Sequence, residues 1–161
     1  MITHDVMQGH EQWYALRRNY FTASEAAAMM GVSPYMTRDD LLKAKALGGE
    51  KEVSEFQQKL FDKGHEVEEA IRPQLFEYFG QELYPVTGSD VVDGLPLLAS
   101  FDLLTMDELD GAEIKLKNES LYAAITSRVV PDAYVWQLEQ QMLVAGIHSI
   151  LFVVTDGTEF I

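Results

Sequence analysis

The sequence predicts an α/β protein with a mixed central sheet flanked by helices. Three observations predict it. Apolar residues recur at helical spacing over Val53 to Phe79, at Phe56, Leu60, Val67, Ile71, Leu75 and Phe79. The chain then changes to short strand-like runs between Leu83 and Leu116, separated by turn residues. After a further helical stretch comes Ile150 to Thr155 (ILFVVT), apolar and β-branched in the way of a strand buried on both faces. Helices, a strand meander, helices and a returning strand imply both antiparallel and parallel neighbours.

In chain order, Gly9 to Arg18 carries Trp13, Leu16 and Arg17 at helical spacing and reads as a short helix. Tyr20-Phe21 is an extended link. Thr22 or Ser24 then caps a helix through SEAAAMMG that ends at Gly31. Thr37 to Asp40 signals the start of a third helix, which runs to Leu47 and stops at Gly48-Gly49. In the long helical pattern, Gly64 marks a candidate break. Pro73 marks a kink or the first turn of a fresh segment. Leu83 to Val86 and Val91-Val92 read as two strands with turns between. Glu119 to Ser127 is a short helix, and Pro131 opens another that Gly146 closes. In that last helix Trp136, Leu143 and Val144 are the expected core residues.

At 161 residues the chain predicts a single domain, with a helical part over 1–80 and a sheet-containing core over 81–161. An apolar fraction of 47% is globular, and no apolar run is long enough to span a bilayer. The absence of Cys excludes disulfides, thiolate zinc sites and iron–sulfur clusters, and fits a reducing cytoplasm. A net charge of −14 argues against non-specific coating of nucleic acid. Basic residues gather at Arg17-Arg18, Lys43/Lys45 and Lys115/Lys117, while acid concentrates at Glu50 to Glu69 and Met106 to Asp110.

The stretch Ser100 to Lys117 carries the chemistry. Leu97 to Leu104 and Ala112 to Leu116 read as paired strands, with Met106 to Gly111 reversing the chain at Asp110-Gly111. Alternation puts Glu113 and Lys115 on one open face, and Ile114 and Leu116 on the other. Asp102 then lies beside Glu113. Two hard carboxylates suit Mg²⁺ or Mn²⁺, and an adjacent ammonium suits a water nucleophile. The same spacing also occurs by chance on a strand with a solvated face, so it leaves both readings open.

Five stretches in order resemble the YqaJ-like viral recombinase family, a branch of the PD-(D/E)xK nucleases that includes the phage lambda exonuclease. They are Leu16 to Ser24 (LRRNYFTAS), Gly64 to Glu69 (GHEVEE), Ser100-Phe101-Asp102, Glu113-Ile114-Lys115, and Tyr134 to Val144 (YVWQLEQQMLV). The resemblance implies a restriction-endonuclease-like core. It implies that Arg17 and Ser24 bind a 5′-phosphate, and that Asp102, Glu113, Glu68 and the Ile114 backbone carbonyl hold the metal. It gives Lys115 to the attacking water and sets Gln137 beside the site, with Gln141 following one turn on. Glu66 and Glu69 read as a solvated face, and His65 as a surface histidine. The chain departs from the family at Phe101, where Pro is usual, at Leu103, where Gly is usual, and at Glu139, where Gln is common.

The implied activity is Mg²⁺-dependent exonuclease action on double-stranded DNA ends, 5′ to 3′, with Mn²⁺ able to substitute. The 3′ overhang would pass to a single-strand annealing protein. The resemblance also implies a possible trimeric ring and a phage- or prophage-encoded enzyme in a bacterial cytoplasm, with no membrane partner. The alternatives are a repair- or restriction-type endonuclease, and a catalytically inactive DNA- or partner-binding relative. Chains of this family often continue past the strand at Ile150 to Thr155.

Overall fold

The computed structural model describes residues 1–48 and 55–161, with the side chains of 55–58 left aside. Val53, Gly49 and the side chain of Phe56, used in the sequence reading, lie outside the described residues. The elements are β1 (Ile2–His4), α1 (Glu11–Arg17), β2 (Phe21–Thr22), a 3-10 turn (Ala23–Glu25), α2 (Ala26–Met29), α3 (Arg38–Leu47), α4 (Glu55–Phe79), β3 (Leu83–Val92), β4 (Leu95–Thr105), β5 (Asp110–Leu116), α5 (Glu119–Thr126), α6 (Asp132–Ala145) and β6 (Ser149–Thr155). Six strands form one mixed sheet in the order β1-β3-β4-β5-β6, with β2 pairing β4 off this path. The contacts β1·β3, β3·β4 and β4·β5 are antiparallel, while β5·β6 and β2·β4 are parallel. Parallel β5 and β6 are joined through α5 and α6, as a crossover requires.

Caps set the helices where the sequence placed them. Thr37 accepts from the Asp40 N–H at the start of α3, and left-handed Gly48 ends it. Of the two candidates for the earlier cap, Thr22 is the one used. Its side chain and that of Glu25 form a reciprocal capping box around the 3-10 turn. Helix α4 runs unbroken through Gly64 and Pro73. Ile71 and Leu75, on either side of Pro73, are both fully buried, and that burial outweighs the hydrogen bond a proline cannot make.

The strand meander differs from the sequence reading at two places. The segments expected as two strands form one, because Thr87 to Asp90 pairs without a break to β4. Gly88 serves no turn there: it lies within the strand, and the Met1 side chain packs over it. The reversal instead falls at Asp93-Gly94, where φ is 50° and 81°, as a two-residue hairpin loop demands. In the second hairpin Asp110 and Gly111 already belong to β5, and Glu108 takes the left-handed conformation.

One irregularity bears on the site. Tyr84 pairs with Leu104, but Val86 pairs with Phe101. Two steps on β3 therefore oppose three on β4, so β4 carries a one-residue bulge spanning Asp102 and Leu103. The core is divided by the sheet. Ile71, Leu75, Leu83, Leu103, Ala112, Ile114 and Val153 pack on the α4 side. Ala23, Ala99, Phe101, Leu104, Val144 and Ile147 pack on the α6 side. In α6 only Val144 of the expected core residues is buried; Trp136 and Leu143 are exposed. The helix turns its glutamines inward instead.

Candidate active site

Glu113 projects from β5 toward α6 and is 2% exposed, so the expected open face is closed. Helix α6 covers it with two side chains one turn apart. Gln137 Nε2 donates to Glu113 Oε1 at 2.5 Å, and Gln141 Nε2 donates to Oε2 at 2.7 Å. Lys115 Nζ also donates to Glu113 Oε1 and lies 5.7 Å from the centre of the Tyr134 ring. Burial lowers the affinity of the Lys115 ammonium for its proton, but the Glu113 and Asp102 charges outweigh this and raise it above its ordinary value. Lys115 is therefore a firmly held cation.

Asp102 comes from the bulge in β4. Its Oδ2 accepts from the Ile114 N–H at 2.8 Å, tying the carboxylate to the strand that carries Glu113 and Lys115. Burial first, then repulsion by Glu113, push the Asp102 carboxyl well above the usual carboxylate range; Lys115 and the Ile114 N–H oppose this, and Glu68 adds to it. The predicted Asp–Glu–Lys convergence is present, and Glu68 reaches it from α4. Of the three neighbouring glutamates, Glu66 and Glu69 are largely exposed and paired with Lys63 and Arg72, whereas Glu68 has a side chain only 29% exposed. His65 stands at the surface with Nδ1 3.3 Å from Glu68 Oε2.

Asp102, Glu68 and the Ile114 backbone border a cavity of about 510 Å³ between α4, β3 and the segment after β1. Four carboxylates line it, from Asp5, Glu68, Glu69 and Asp102, against one arginine, Arg72, itself paired with Glu69. Carboxylate oxygens in excess, with the imidazoles of His10 and His65 also on the lining, fit a divalent cation. In the observed rotamers, no three carboxylate or imidazole groups among the described residues form a ready-made cation cluster.

The residue 12–148 segment matches the model of the YqaJ-like viral recombinase domain. The chain belongs to this family. Among solved structures, the YqaJ-like chain is similar to an alkaline exonuclease from Laribacter hongkongensis, at 25% identity and a TM-score of 0.72, over 94% of this chain and 79% of that one. The same exonuclease in complex with dAMP gives a TM-score of 0.68 at 25% identity, covering 90% and 73%. A comparison with curated protein sequences returns no significant match. The mixed six-stranded sheet is thus the PD-(D/E)xK-type fold.

The second predicted pair is also brought together. Arg17, in the last turn of α1, donates through Nη2 to Ser24 Oγ at 3.1 Å and lies 3.9 Å from Glu25 Oε1. Its guanidinium stacks on Trp13, 4.4 Å from the ring centre. Burial holds its pKa below the ordinary guanidinium value, with the Glu25 charge partly offsetting this. Lys45 braces this pair from α3. Its Nζ reaches Glu25 Oε2 at 2.8 Å and the carbonyls of Tyr20 and Arg17 at 2.8 and 3.0 Å.

Three contributors escaped the sequence reading. Trp13 Nε1 donates to Ser100 Oγ at 2.9 Å, linking α1 to β4. Gln140 Nε2 spans the carbonyls of Phe21 and Leu98, stapling β2 to β4. Lys45 read only as part of a basic cluster. Each contact joins segments far apart in sequence, and only the glutamine run in α6 offered a signal.

Proposed function

We propose that this YqaJ-like chain is a Mg²⁺-dependent DNA exonuclease that degrades the 5′-ended strand of duplex DNA and leaves a 3′ overhang. The observation that carries the reading is the convergence of Asp102, Glu113 and Lys115 at the bulged edge of β4 and β5, with Glu68 beside them. Asp102, Glu113, Glu68 and the Ile114 carbonyl are the groups that would hold the cation, Mg²⁺ or Mn²⁺. When bound there, such an ion supplies electrophilic charge to the scissile phosphodiester and its attacking water.

The chain's own residues account for the rest. Lys115, hydrogen-bonded to Glu113 Oε1, is placed to serve the attacking water. Gln137 keeps Glu113 Oε1 directed. Arg17 and Ser24 grip the terminal 5′-phosphate; a guanidinium has five donors, so it can hold phosphate while Trp13 fixes its plane. The similarity to a bacterial alkaline exonuclease supports this substrate class. In this reading the partners are duplex DNA ends and an annealing protein that receives the 3′ tail. The setting is a bacterial cytoplasm, and the ring assembly implied by the family stands as part of the same proposal.

The test is digestion of matched linear duplexes, 5′-phosphorylated or 5′-hydroxyl, with Mg²⁺ or with EDTA. The expected result is loss of mononucleotides from the phosphorylated end, abolished by EDTA. Nicking of closed circular DNA with indifference to the 5′-phosphate would replace the exonuclease reading with the endonuclease one.

A further inference from the structure

We infer that Gln141 is a positioning residue that fixes Glu113 so that it acts on the cation through Oε1 alone; the inference rests on the nuclease reading above. Gln141 is 1% exposed. Its side-chain nitrogen donates to Glu113 Oε2 at 2.7 Å and to the Ser100 carbonyl at 2.9 Å. Both partners are pure acceptors, so the amide group has one admissible orientation, with NH₂ toward them. Both N–H groups are consumed, and the cost is visible at the other end: Gln141 Oε1 is buried with no hydrogen-bond partner among the described residues. An unsatisfied buried oxygen is destabilising, and Leu or Met would fill the position without it. The position thus retains a poorly satisfied amide whose two donors both point at the strand edge bearing the site.

The two oxygens of Glu113 are held differently. Oε2 belongs to Gln141, which is enclosed and has no room to swing away. Oε1 belongs to Gln137 and Lys115, both part-exposed and able to release it. A cation held beside Asp102 would therefore find in Glu113 a carboxylate with one oxygen locked and one exchangeable. Ser100, through its carbonyl, ties that lock to β4 two residues before Asp102, so both carboxylates share one reference point. Partners that orient a ligating carboxylate typically change metal affinity or activity by 10–100-fold when removed.

The experiment uses the whole chain and Mn²⁺ as the probe. Gln141→Met keeps length and removes both donors. The expected result is a folded protein whose kcat on linear duplex with Mg²⁺ falls by about 10–100-fold, with the duplex KM unchanged and Mn²⁺ affinity by calorimetry weakened by a similar factor. The decisive arm repeats the substitution in a Glu113→Ala background. There Gln141 has no carboxylate to hold, so adding Gln141→Met leaves the residual Mn²⁺ affinity unchanged. An equal loss of affinity in both backgrounds means a packing role and overturns the inference. So does wild-type kcat and Mn²⁺ affinity in Gln141→Met alone. If that variant does not fold, Gln141→Leu, which also lacks both donors, carries the same comparison. A wild type that neither binds Mn²⁺ nor cuts DNA overturns the parent reading, and this inference with it.

Discussion

Asp102 and Glu113 stand on adjacent strands and are close enough to repel, yet the protein treats them oppositely. Glu113 is enclosed by α6 and receives donors from Gln137, Gln141 and Lys115. Asp102 receives one backbone N–H and borders an acidic cavity. Glu113 has its oxygens taken up by three donors; Asp102 has one donor and lies beside like charges. The difference divides the labour: one carboxylate is fixed in advance, and the other carries the charge deficit that a cation would fill.

Breaking the settled side gives the largest effect. Glu113→Ala and Lys115→Ala are each expected to reduce nuclease activity by roughly 10²-fold or more, measured on 5′-phosphorylated duplex. The burial of Glu113 adds a consequence for stability. Its removal strands the Gln141 amide, at a cost of about 1–3 kcal/mol read from denaturant unfolding. Lys115→Ala leaves Glu113 its two glutamine donors but removes the cation that offsets Glu113 and Asp102, so it is destabilising as well.

Breaking the unsettled side separates activity from stability. Asp102→Asn is expected to lose activity by roughly 10²-fold, yet to melt higher than wild type at pH 7.5 without added metal. The sign follows from the raised carboxyl. A group whose folded value lies above its unfolded value contributes stability that is full below the ordinary 3.8 and is lost as pH rises through the folded value. The asparagine removes that loss. A lower melting point at pH 7.5 would show that Asp102 is not repelled in the fold.

Smaller effects sharpen the comparison. Glu68→Gln should weaken Mn²⁺ binding about tenfold, while Glu66→Gln and Glu69→Gln leave it near wild type. Equal effects from all three would return Glu68 to the solvated face. Arg17→Ala should leave Mn²⁺ binding alone and remove most of the preference for 5′-phosphorylated ends. The charge-assisted contact is worth about 1.5–3 kcal/mol, or roughly tenfold and upward.

Local patterns made much of this legible. Thr37 and Gly48 bracket α3 because capping is decided within a few residues. The β4–β5 hairpin was readable from alternation, and with it the meeting of Asp102, Glu113 and Lys115. What escaped was decided by distant partners. β1 is three residues long and exists because β3 offers an edge to pair with. The Thr87 to Asp90 segment has turn composition but is held straight between β1 and β4. Hydrophobicity alone places Trp136 and Leu143 in the core, whereas the inward face of α6 is set by a carboxylate on another strand that needs amide donors.

The extra residue in β4 changes the parity of the strand. Before it, odd-numbered residues such as Ala99 and Phe101 face α6; after it, the even-numbered Leu104 does. Asp102 and Leu103 are consecutive and both lie on the α4 side. Odd–even bookkeeping carried from either end of β4 therefore misassigns the other. Removing one residue here would restore ordinary alternation: Phe101 and Leu104 would still face α6, the β3–β4 pairing would run without a shift, and only the doubled α4-side position that carries Asp102 would be lost. The extra residue thus gives the carboxylate its place without disturbing the core on either side of it.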